Sequence, residues 1–379
     1  MTDPHPPSPT AADLRAAFDG PQALTLGLEE EVMLLCPDTL DLTPRAAEVM
    51  KALDGDPRFK LELPAAQLEI VTPPVDRVGD AVEVLTRGRE RLAAIAGSLA
   101  KPACAGVHPF AAIEGPLNSG ARYDHIEAEY GSVARRQLVC GLQVHVAVRG
   151  ADRALAVYNG LRGHLPELAA LAANGPFHAG RDTGLASARP LISGMLPRQG
   201  VPPALRSWEH FAEELRWGAQ AGALPEPRLW WWEVRPHPTY GTLEVRVPDA
   251  QTTVTDAAAV AAVVHALAAW LADRHDAGEV LPRPPTWRIA ENRWRACRHG
   301  LEAPLADLST GEPQTARRRV GALLDQLEAS ALQIGCREEL DSARRLVEVN
   351  GAERQRAVAA EVGLPGLAAW LARQFLPQA

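Results

Sequence analysis

The sequence predicts an α+β fold, because strand patterns dominate the chain before Thr253 and helical patterns dominate it afterwards. Four segments of the first part alternate an apolar side with a polar side, as half-buried strands of a mainly antiparallel sheet do. In the second part apolar residues recur at a spacing near ~3.6 residues, which is typical of helices. We find no internal repeat, and we expect one domain over residues 21–379 with a helical C-terminal part.

The strands can be assigned in chain order after an irregular start. Residues 1–20 contain Pro4, Pro6, Pro7 and Pro9 among small polar residues, a composition that predicts a disordered tail. The predicted strands cover residues 24–35, 67–71, 103–110, 138–148, 229–235 and 242–247. The last two are predicted to form a hairpin through His237-Pro238-Thr239-Tyr240-Gly241.

The helices follow from apolar periodicity and from their start and stop signals. They are predicted at residues 44–51, 79–99, 151–173, 207–219, 255–274, 313–333, 337–349, 352–361 and 364–375. Gly163 and Pro166 are predicted to interrupt the helical stretch at 151–173. Residues 174–203 are rich in Gly, Pro and Arg and show no regular period, so we expect a functional loop there.

The bulk composition fits a soluble globular protein and limits its partners. Of the 379 residues, 46% are hydrophobic and 23% charged, and the formal net charge is -8. This net charge argues against nonspecific nucleic-acid binding, which requires a basic surface. The five cysteines form no C-x-x-C pair and fit a reducing compartment. We see no signal peptide and no apolar run of about 20 residues, so we expect a cytoplasmic protein without a membrane partner.

The candidate metal-binding and catalytic residues lie on the polar sides of four predicted strands. In strand 24–35, Glu29 and Glu31 share one side, whereas Glu30 points to the apolar side or lies near an edge. The other three strands place on their polar sides Gln67 and Glu69; Gly141, Gln143 and His145; and Thr242, Glu244 and Arg246. If the apolar sides align in one sheet, these polar sides align as well.

Carboxylates this close together need compensation. Two like charges two residues apart on a strand repel by roughly 2 kcal/mol at an effective dielectric near ~20. Divalent cations such as Mg²⁺ can compensate, since they take oxygen ligands and keep positions for water and phosphates. We therefore predict that Glu29 and Glu31 bind metal, and that Glu62 and Glu69 could complete the oxygen shell. Alternatively, these carboxylates only solvate the open face of an antiparallel sheet.

Three arginines are candidates for binding an anion. Arg246 lies two residues from Glu244 on one side of a strand, so the two form either a surface ion pair or a site where Arg246 grips a phosphate. Arg181 and Arg189 lie near Asp182-Thr183-Gly184, which favours an anion-binding loop over an aspartic-protease site. The chain has neither common glycine-rich phosphate motif, so metal ions and arginines would have to hold a nucleotide.

The chain resembles the bacterial carboxylate-amine ligases of the glutamate-cysteine ligase type 2 family from about residue 24 to residue 373. The resembling segments are GLEEEVMLL, QLEIVTPP, CGLQVHVAV, GRDTGLASAR, LWWWEVRPHPTYGTLEVRVPDAQT, ENRWRACRHGL and NGAERQR. Their order and spacing are more specific than any one of them. Gln143 stands where the family usually has histidine, and Gly175-Pro176-Phe177-His178 replaces its Ser-Pro-Phe-Trp, which leaves the acceptor amine open.

The resemblance implies a curved, mainly antiparallel sheet that forms a funnel with helices on its outer face, as in glutamine synthetase and guanido kinase folds. It implies one catalytic domain, a cytosolic and often dimeric protein, and ATP with two or more Mg²⁺ ions. The implied reaction joins a carboxylate, typically that of glutamate, to an amine such as that of cysteine. Carried over to this sequence, the metal ligands are Glu29, Glu31, Glu69 and Glu244, and Arg246 faces a phosphate.

We expect the reaction to pass through an acyl phosphate and to release ADP and phosphate. In it, His145 either orients the substrate or shuttles a proton, or else has only a structural role. Two other functions fit the same residues. One is a phosphotransferase that stops after phosphoryl transfer, and the other is a noncatalytic protein that binds metal or nucleotide as a sensor.

Overall fold

The computed structural model describes residues 8–20, 23–224 and 229–376, and a seven-stranded sheet lies at its centre. The strands of this sheet are β1 (Leu26–Leu35), β2 (Phe59–Leu61), β3 (Gln67–Val71), β4 (Lys101–Ala103), β5 (Leu142–Ala147), β8 (Val234–His237) and β9 (Thr242–Val245). They lie in the order β2-β3-β1-β5-β9-β8, with β4 paired to the C-terminal end of β1. All of these pairs are antiparallel and the sheet does not close, which confirms the predicted α+β class.

Two short hairpins lie outside this sheet. One joins β6 (Phe177–His178) to β7 (Arg181–Asp182), and the other joins β10 (Pro304–Ala306) to β11 (Pro313–Thr315). The helices before the last strand of the main sheet are α1 (Ala11–Phe18), α2 (Ala46–Ala52), α3 (Val78–Ala96), α4 (Ala121–Tyr130), α5 (Ser132–Arg135), α6 (Ala151–Leu171), α7 (Arg189–Ser193) and α8 (Trp208–Gln220). The later helices are α9 (Val254–Asp276), α10 (Thr286–His299), α11 (Ala316–Gln333), α12 (Arg337–Glu348) and α13 (Gly351–Gln374).

Helices cover one face of the main sheet and leave the other face to a cavity. Helix α3 packs on β1 and β3, and α9 packs on β5. Gly88 lets α3 approach β3 closely, since a Cβ there would lie 2.7 Å from Cγ2 of Ile70. One buried apolar cluster extends from Leu14 in α1 to Phe375 after α13.

Glu30 points to the helical face, as the alternation of β1 predicts, and there it pairs with Arg89 of α3. Both side chains are fully buried, with Arg89 Nε 2.8 Å from Oε2 of Glu30. The remaining guanidinium N–H groups donate to the backbone carbonyls of Gln251, Thr252 and Phe375. The hydrogen bonds of Arg89 therefore connect β1, the segment before α9 and the end of α13.

Several predicted elements differ from the structure. The strand predicted at 138–148 is shorter, and that at 103–110 overlaps β4 by only one residue. Helix α6 continues through Gly163 and Pro166, although proline removes one backbone hydrogen bond. The two helices predicted at 352–361 and 364–375 are confirmed, because α13 consists of two helical parts separated at Gly363, whose φ of 69° and ψ of 177° are not helical.

The prediction of a disordered tail over residues 1–20 is wrong for residues 11–18, which form α1. Thr10 caps this helix, and Asp13 completes the capping box by accepting from the Thr10 backbone N–H. Leu14 and Phe18 are buried, and Phe18 packs on Trp208 with ring centroids 4.8 Å apart. Hydrophobic packing thus orders a segment whose proline content suggested disorder, while residues 1–7 lie outside the described part of the chain.

Helix α9 is more apolar than the absence of an apolar run of about 20 residues suggests. Among the described residues one helix, α9, is long and apolar enough to cross a membrane by length and composition. It packs against α3, α6, α11 and α12, and 17 of its 23 residues are buried. The apolar side chains of α9 are therefore part of the protein core.

Candidate active site

The register of the main sheet brings the predicted polar side chains into one row. Residues directly opposite each other in an antiparallel pair point to the same face. The opposite pairs are Lys60–Glu69, Glu31–Glu69, Glu29–Gln143, His145–Glu244 and Arg235–Glu244. The row therefore crosses six strands on the face that the helices do not cover.

A cavity of about 480 Å³ lies over this row, within the size range of small-molecule sites. The acidic side chains that line it are Glu29, Glu31, Glu62, Glu69 and Glu233, and the basic ones are Lys60, Arg122, Arg189, Arg235 and Arg246. Glu244 lies beneath Arg235 and Arg246 and is fully buried. The basic side chains of the cavity therefore balance much of the negative charge of its carboxylates.

Glu29, His145 and Glu244 form the group best placed to hold a metal ion. One ligand atom from each lies within 4.8 Å of the other two. Nε2 of His145 is 3.6 Å from Glu29 and 3.7 Å from Glu244, and it has no hydrogen-bond partner among the described residues. The other ring nitrogen lies 2.9 Å from Oγ1 of Thr242, which fixes the ring. The two carboxylates suit Mg²⁺ or Mn²⁺, and the imidazole adds a nitrogen ligand.

Glu244 is held in the ionised form by two arginines. Arg235 donates to both carboxylate oxygens, with Nε 2.6 Å from Oε2, and Arg246 donates to Oε1. Burial alone would raise the pKa of Glu244, but the two guanidinium groups hold this pKa well below its ordinary value. Glu29 behaves similarly, because His145 outweighs burial and lowers the pKa of Glu29 to about 2.

Glu31 is held by neutral donors. Its Oε2 accepts from the backbone N–H of Gly141 at 2.5 Å, and its Oε1 accepts from Nε2 of Gln143 at 2.7 Å. A Cβ on Gly141 would lie 2.4 Å from a guanidinium nitrogen of Arg189, so a larger residue there would require the Arg189 side chain to move. The carboxylate of Glu31 is thus fixed in orientation beside the Glu29, His145 and Glu244 group.

Negative charge is in excess at the β2–β3 end of the row. Lys60 lies 3.7 Å from Glu29 and 3.6 Å from Glu69. Burial together with Glu29 and Glu62 nevertheless raises the pKa of Glu69 well above its ordinary value. Burial and the charge of Glu31 likewise raise the pKa of Glu62 to about 7. This end of the row would therefore gain most from an additional cation.

The structure brings most of the predicted site residues together. Arg246 lines the cavity, and so does Arg189, although the guanidinium of Arg189 donates to the carbonyls of Arg246 and Val247. Arg181 is not part of the group, because it is exposed on the β6–β7 hairpin and does not line the cavity. On that hairpin Asp182 accepts two hydrogen bonds from Arg356 of α13, which gives the Asp182-Thr183-Gly184 segment a structural contact.

Sequence reasoning missed four basic or aromatic residues of the site. Lys60 lies in a three-residue strand that no periodicity reveals. Arg235 precedes the hairpin and lies opposite Glu244, so the predicted pairing of the two strands could have revealed it. Arg122 is exposed near Glu62, and Tyr240 lies in the hairpin turn with its ring stacked on His237 at 4.4 Å.

Comparison with known proteins identifies the family of the chain. A profile of glutamate-cysteine ligase family 2 matches residues 25–364. A protein of Rubrobacter xylanophilus, provisionally named glutamate–cysteine ligase 2-3, is 41% identical over 92% of this chain and 96% of its own length. A protein of Thermobifida fusca, provisionally named glutamate–cysteine ligase 2, is 33% identical over 92% of this chain and 89% of its own.

Solved structures share the fold at low sequence identity. Glutamate–cysteine ligase of Francisella tularensis, solved in complex with AMP, superposes with a TM-score of 0.71 at 14% identity over 95% of this chain and 91% of that chain. A bifunctional glutathione synthetase of Pasteurella multocida gives a TM-score of 0.69 at 17% identity, over 96% of this chain and 53% of that chain. These likenesses confirm the predicted fold.

The fold and these relatives define the class of protein as an ATP-dependent carboxylate-amine ligase. The chain belongs to glutamate-cysteine ligase family 2, as the sequence predicts.

Proposed function

We propose that this protein uses ATP to join the γ-carboxylate of glutamate to an amine through an acyl phosphate. The observation that carries the proposal is the row of carboxylates across the sheet, with Glu29, His145 and Glu244 grouped within 4.8 Å beside Arg246. A triphosphate held by divalent cations requires carboxylate ligands of this kind.

Two or more Mg²⁺ ions fit the residues present. Glu29, His145 and Glu244 would hold one ion, and Glu31 and Glu69 offer oxygen ligands for another in the adjacent part of the row. When bound, Mg²⁺ neutralises phosphate charge and orients the γ-phosphoryl group. The unpartnered Nε2 of His145 supports a ligand role for this residue over a proton shuttle.

Arg246 is placed to balance charge during phosphoryl transfer. One of its nitrogens donates to Glu244, and its planar guanidinium carries further N–H groups on the cavity side. Arg189 would support the same region indirectly, because it donates to the backbone carbonyls of Arg246 and Val247. Catalysis would come mainly from positioning and from preorganised charge.

The proposed reaction balances without a further reactant. The substrate carboxylate takes the γ-phosphoryl group, and ADP leaves with the electron pair of the broken P–O bond. A neutral amine then forms the C–N bond, and the C–O bond to the phosphoryl group breaks with its electron pair going to phosphate. The proton that the nitrogen loses accompanies the phosphate, so the products are an amide, ADP and hydrogen phosphate.

We also propose a cytoplasmic homodimer with small-molecule substrates and without nucleic-acid or membrane partners. The support is the acidic composition, with a net charge of -8, and the reduced state of the five cysteines among the described residues. The homodimer and the small-molecule substrates are proposed from the family to which the chain belongs.

Hydroxylamine tests the proposal directly. With Mg²⁺-ATP and glutamate, the enzyme should form a hydroxamate and one ADP for each, because hydroxylamine attacks an acyl phosphate. A screen of amino acids and amines for ADP release, followed by mass measurement, should then identify an amide product. A stable phosphorylated product without amide would instead indicate a phosphotransferase, and tight ATP binding without ADP release would indicate a sensor.

A further inference from the structure

One end of the cavity is lined mainly by uncharged side chains, with Glu62 and Arg122 next to it, and it begins one step beyond Glu31 along β1. The next residue of β1 on that face is Met33, which lies opposite Gln67 of β3. On the other side, Val139 lies two residues before Gly141, whose N–H donates to Glu31. We call this region the neutral end, and its lining residues are Leu63, Pro64, Gln67, Ile126, Val139 and Leu196.

Contacts between these segments place them at the same end. Leu63 and Pro64 lead into β3, and Asn118, just before α4, donates to the carbonyls of Glu62 and Pro64. Gln137 donates to the carbonyl of Ile192 in α7, and Val139 packs against the apolar cluster that contains Ile192. The neutral end is therefore formed by segments that are far apart in sequence but fixed to one another by hydrogen bonds.

Two buried amide atoms of residues that line the cavity have no partner among the described residues. Gln143 is 1% exposed, and the acceptor role of Glu31 fixes its Nε2 as the donor, so the unpartnered atom is the acceptor Oε1. Gln67 is also 1% exposed, and its Nε2 is unpartnered. Buried polar atoms are nearly always hydrogen-bonded, so such atoms in a cavity wall indicate the place of a ligand.

We propose that the acceptor amine binds at the neutral end, donates an N–H to Oε1 of Gln143 and carries an uncharged side chain. This inference rests on the proposed function, because it concerns the second substrate of that reaction. An oxygen of the same substrate would accept from Nε2 of Gln67. Leu63, Ile126, Val139 and Leu196 would contact its side chain.

The arrangement suits a nucleophile that must be neutral and oriented. A hydrogen bond from the amine to Oε1 leaves the nitrogen lone pair free to form the C–N bond as the C–O bond to phosphate breaks. Gln143 cannot turn away easily, because its Nε2 is bonded to Glu31. A charged side chain on the amine would lose its hydration against these apolar residues. Gln143 is thus a positioning residue that also selects the substrate.

The ratio of amide to hydroxamate formation tests this role. Hydroxylamine and the preferred amine consume the same acyl phosphate, but only the larger amine needs the neutral end. In Gln143→Met the ratio should fall at least ~10-fold, which corresponds to one lost hydrogen bond in the transition state. Gln333→Met on the exposed surface of α11 controls for the chemical change.

The outcomes separate this inference from the proposed function. An unchanged ratio in Gln143→Met, or loss of both reactions together, would overturn the role of Gln143, because it would then act only through Glu31. In a panel of amines, alanine and valine should exceed aspartate and lysine at least ~10-fold in kcat/KM, and equal use of charged amines would overturn the side-chain assignment. Failure of the unmodified enzyme to form hydroxamate would instead contradict the proposed function.

Discussion

Carboxylates of the same chemical type have different environments in this site, and their neighbours decide what each can do. Glu244 is buried and ionised beneath two arginines, whereas Glu31 accepts from neutral donors. Burial with the charge of Glu31 raises the pKa of Glu62 to about 7, and the opposing effect of Arg122 and Arg246 is smaller. These differences arise from β-sheet register and from residues that contact each group, so they cannot be inferred from the carboxylates alone.

Glu62 should make the protein less stable as the pH rises. Its pKa in the folded chain exceeds the ordinary value of 4.5, so the folded state binds the proton more tightly. The resulting stabilisation is present below the unfolded pKa and is lost as the pH rises through the folded pKa. Without added Mg²⁺, Glu62→Gln should therefore raise the free energy of unfolding by about 1 kcal/mol near pH ~8, a small value because the side chain is half-buried.

Denaturant unfolding near pH ~8 and near pH ~4 measures this effect. The difference between Glu62→Gln and the unmodified protein should vanish at the lower pH, where Glu62 is protonated in both states. A stability difference of the same size at both pH values would contradict the assigned shift.

Arg235 should be required as an arginine. It donates to both oxygens of Glu244, a two-point contact that lysine cannot make. Arg235→Lys should lower kcat of ADP release at least ~10-fold while the chain remains folded, because Glu244 would be misplaced beside His145. Steady-state kinetics with circular dichroism as a folding control would check this, and unaltered kcat would show that Glu244 needs only a positive charge.

At the scale of elements, β1 and β3 were predicted well because their pattern is strong, whereas β8, which carries Arg235, shares only two residues with the predicted strand 229–235. Strand β3 has the predicted bounds, and β1 differs only at its start. Strand β2 was missed because three residues show no period, and with it Lys60 was missed. Helix α10 was missed because its buried side includes Asn292 and Arg293, which break the apolar pattern.

The contact between α3 and β3 should be sensitive to one methyl group. Gly88→Ala would place a Cβ 2.7 Å from Ile70, and it should lower the free energy of unfolding by about 1 to 3 kcal/mol through overpacking. Gly321→Ala is the matched control in α11, since no atom lies within 4 Å of its Cβ. The control should gain up to about 1 kcal/mol from helix propensity, and equal effects of the two changes would contradict close packing at Gly88.

At the scale of the whole molecule, buried polar contacts connect distant segments of the chain. Apolar periodicity predicts each of these segments singly but not the contacts between them. Arg89 joins β1 to the ends of two distant segments, and Asn174 accepts from Gln355 of α13 while donating to Thr252. The sequence predicted the fold class and the acidic residues of the site, because both depend on local alternation. It did not predict these connections or the basic residues that balance the site, because both depend on which strands and helices meet.

Removal of one partner from the buried Glu30–Arg89 pair should destabilise the whole fold. Arg89→Met leaves the carboxylate of Glu30 buried without a counter-charge, so the free energy of unfolding should fall by about 3 to 5 kcal/mol. The double change Glu30→Leu with Arg89→Met should recover at least ~1 kcal/mol of this loss, since no buried charge remains. A double variant at least as unstable as Arg89→Met, measured by urea unfolding, would contradict this explanation.

The central claim is that anionic side chains from several strands share divalent cations on one wall of the cavity. Electron paramagnetic resonance of Mn²⁺, titrated into the protein with and without a nonhydrolysable ATP analogue, counts bound ions directly. We expect two or more bound Mn²⁺ per chain in the ternary complex, and the loss of one in Glu29→Gln with the secondary structure unchanged. No bound Mn²⁺ beyond that carried by the nucleotide, or the same number in Glu29→Gln, would contradict the claim.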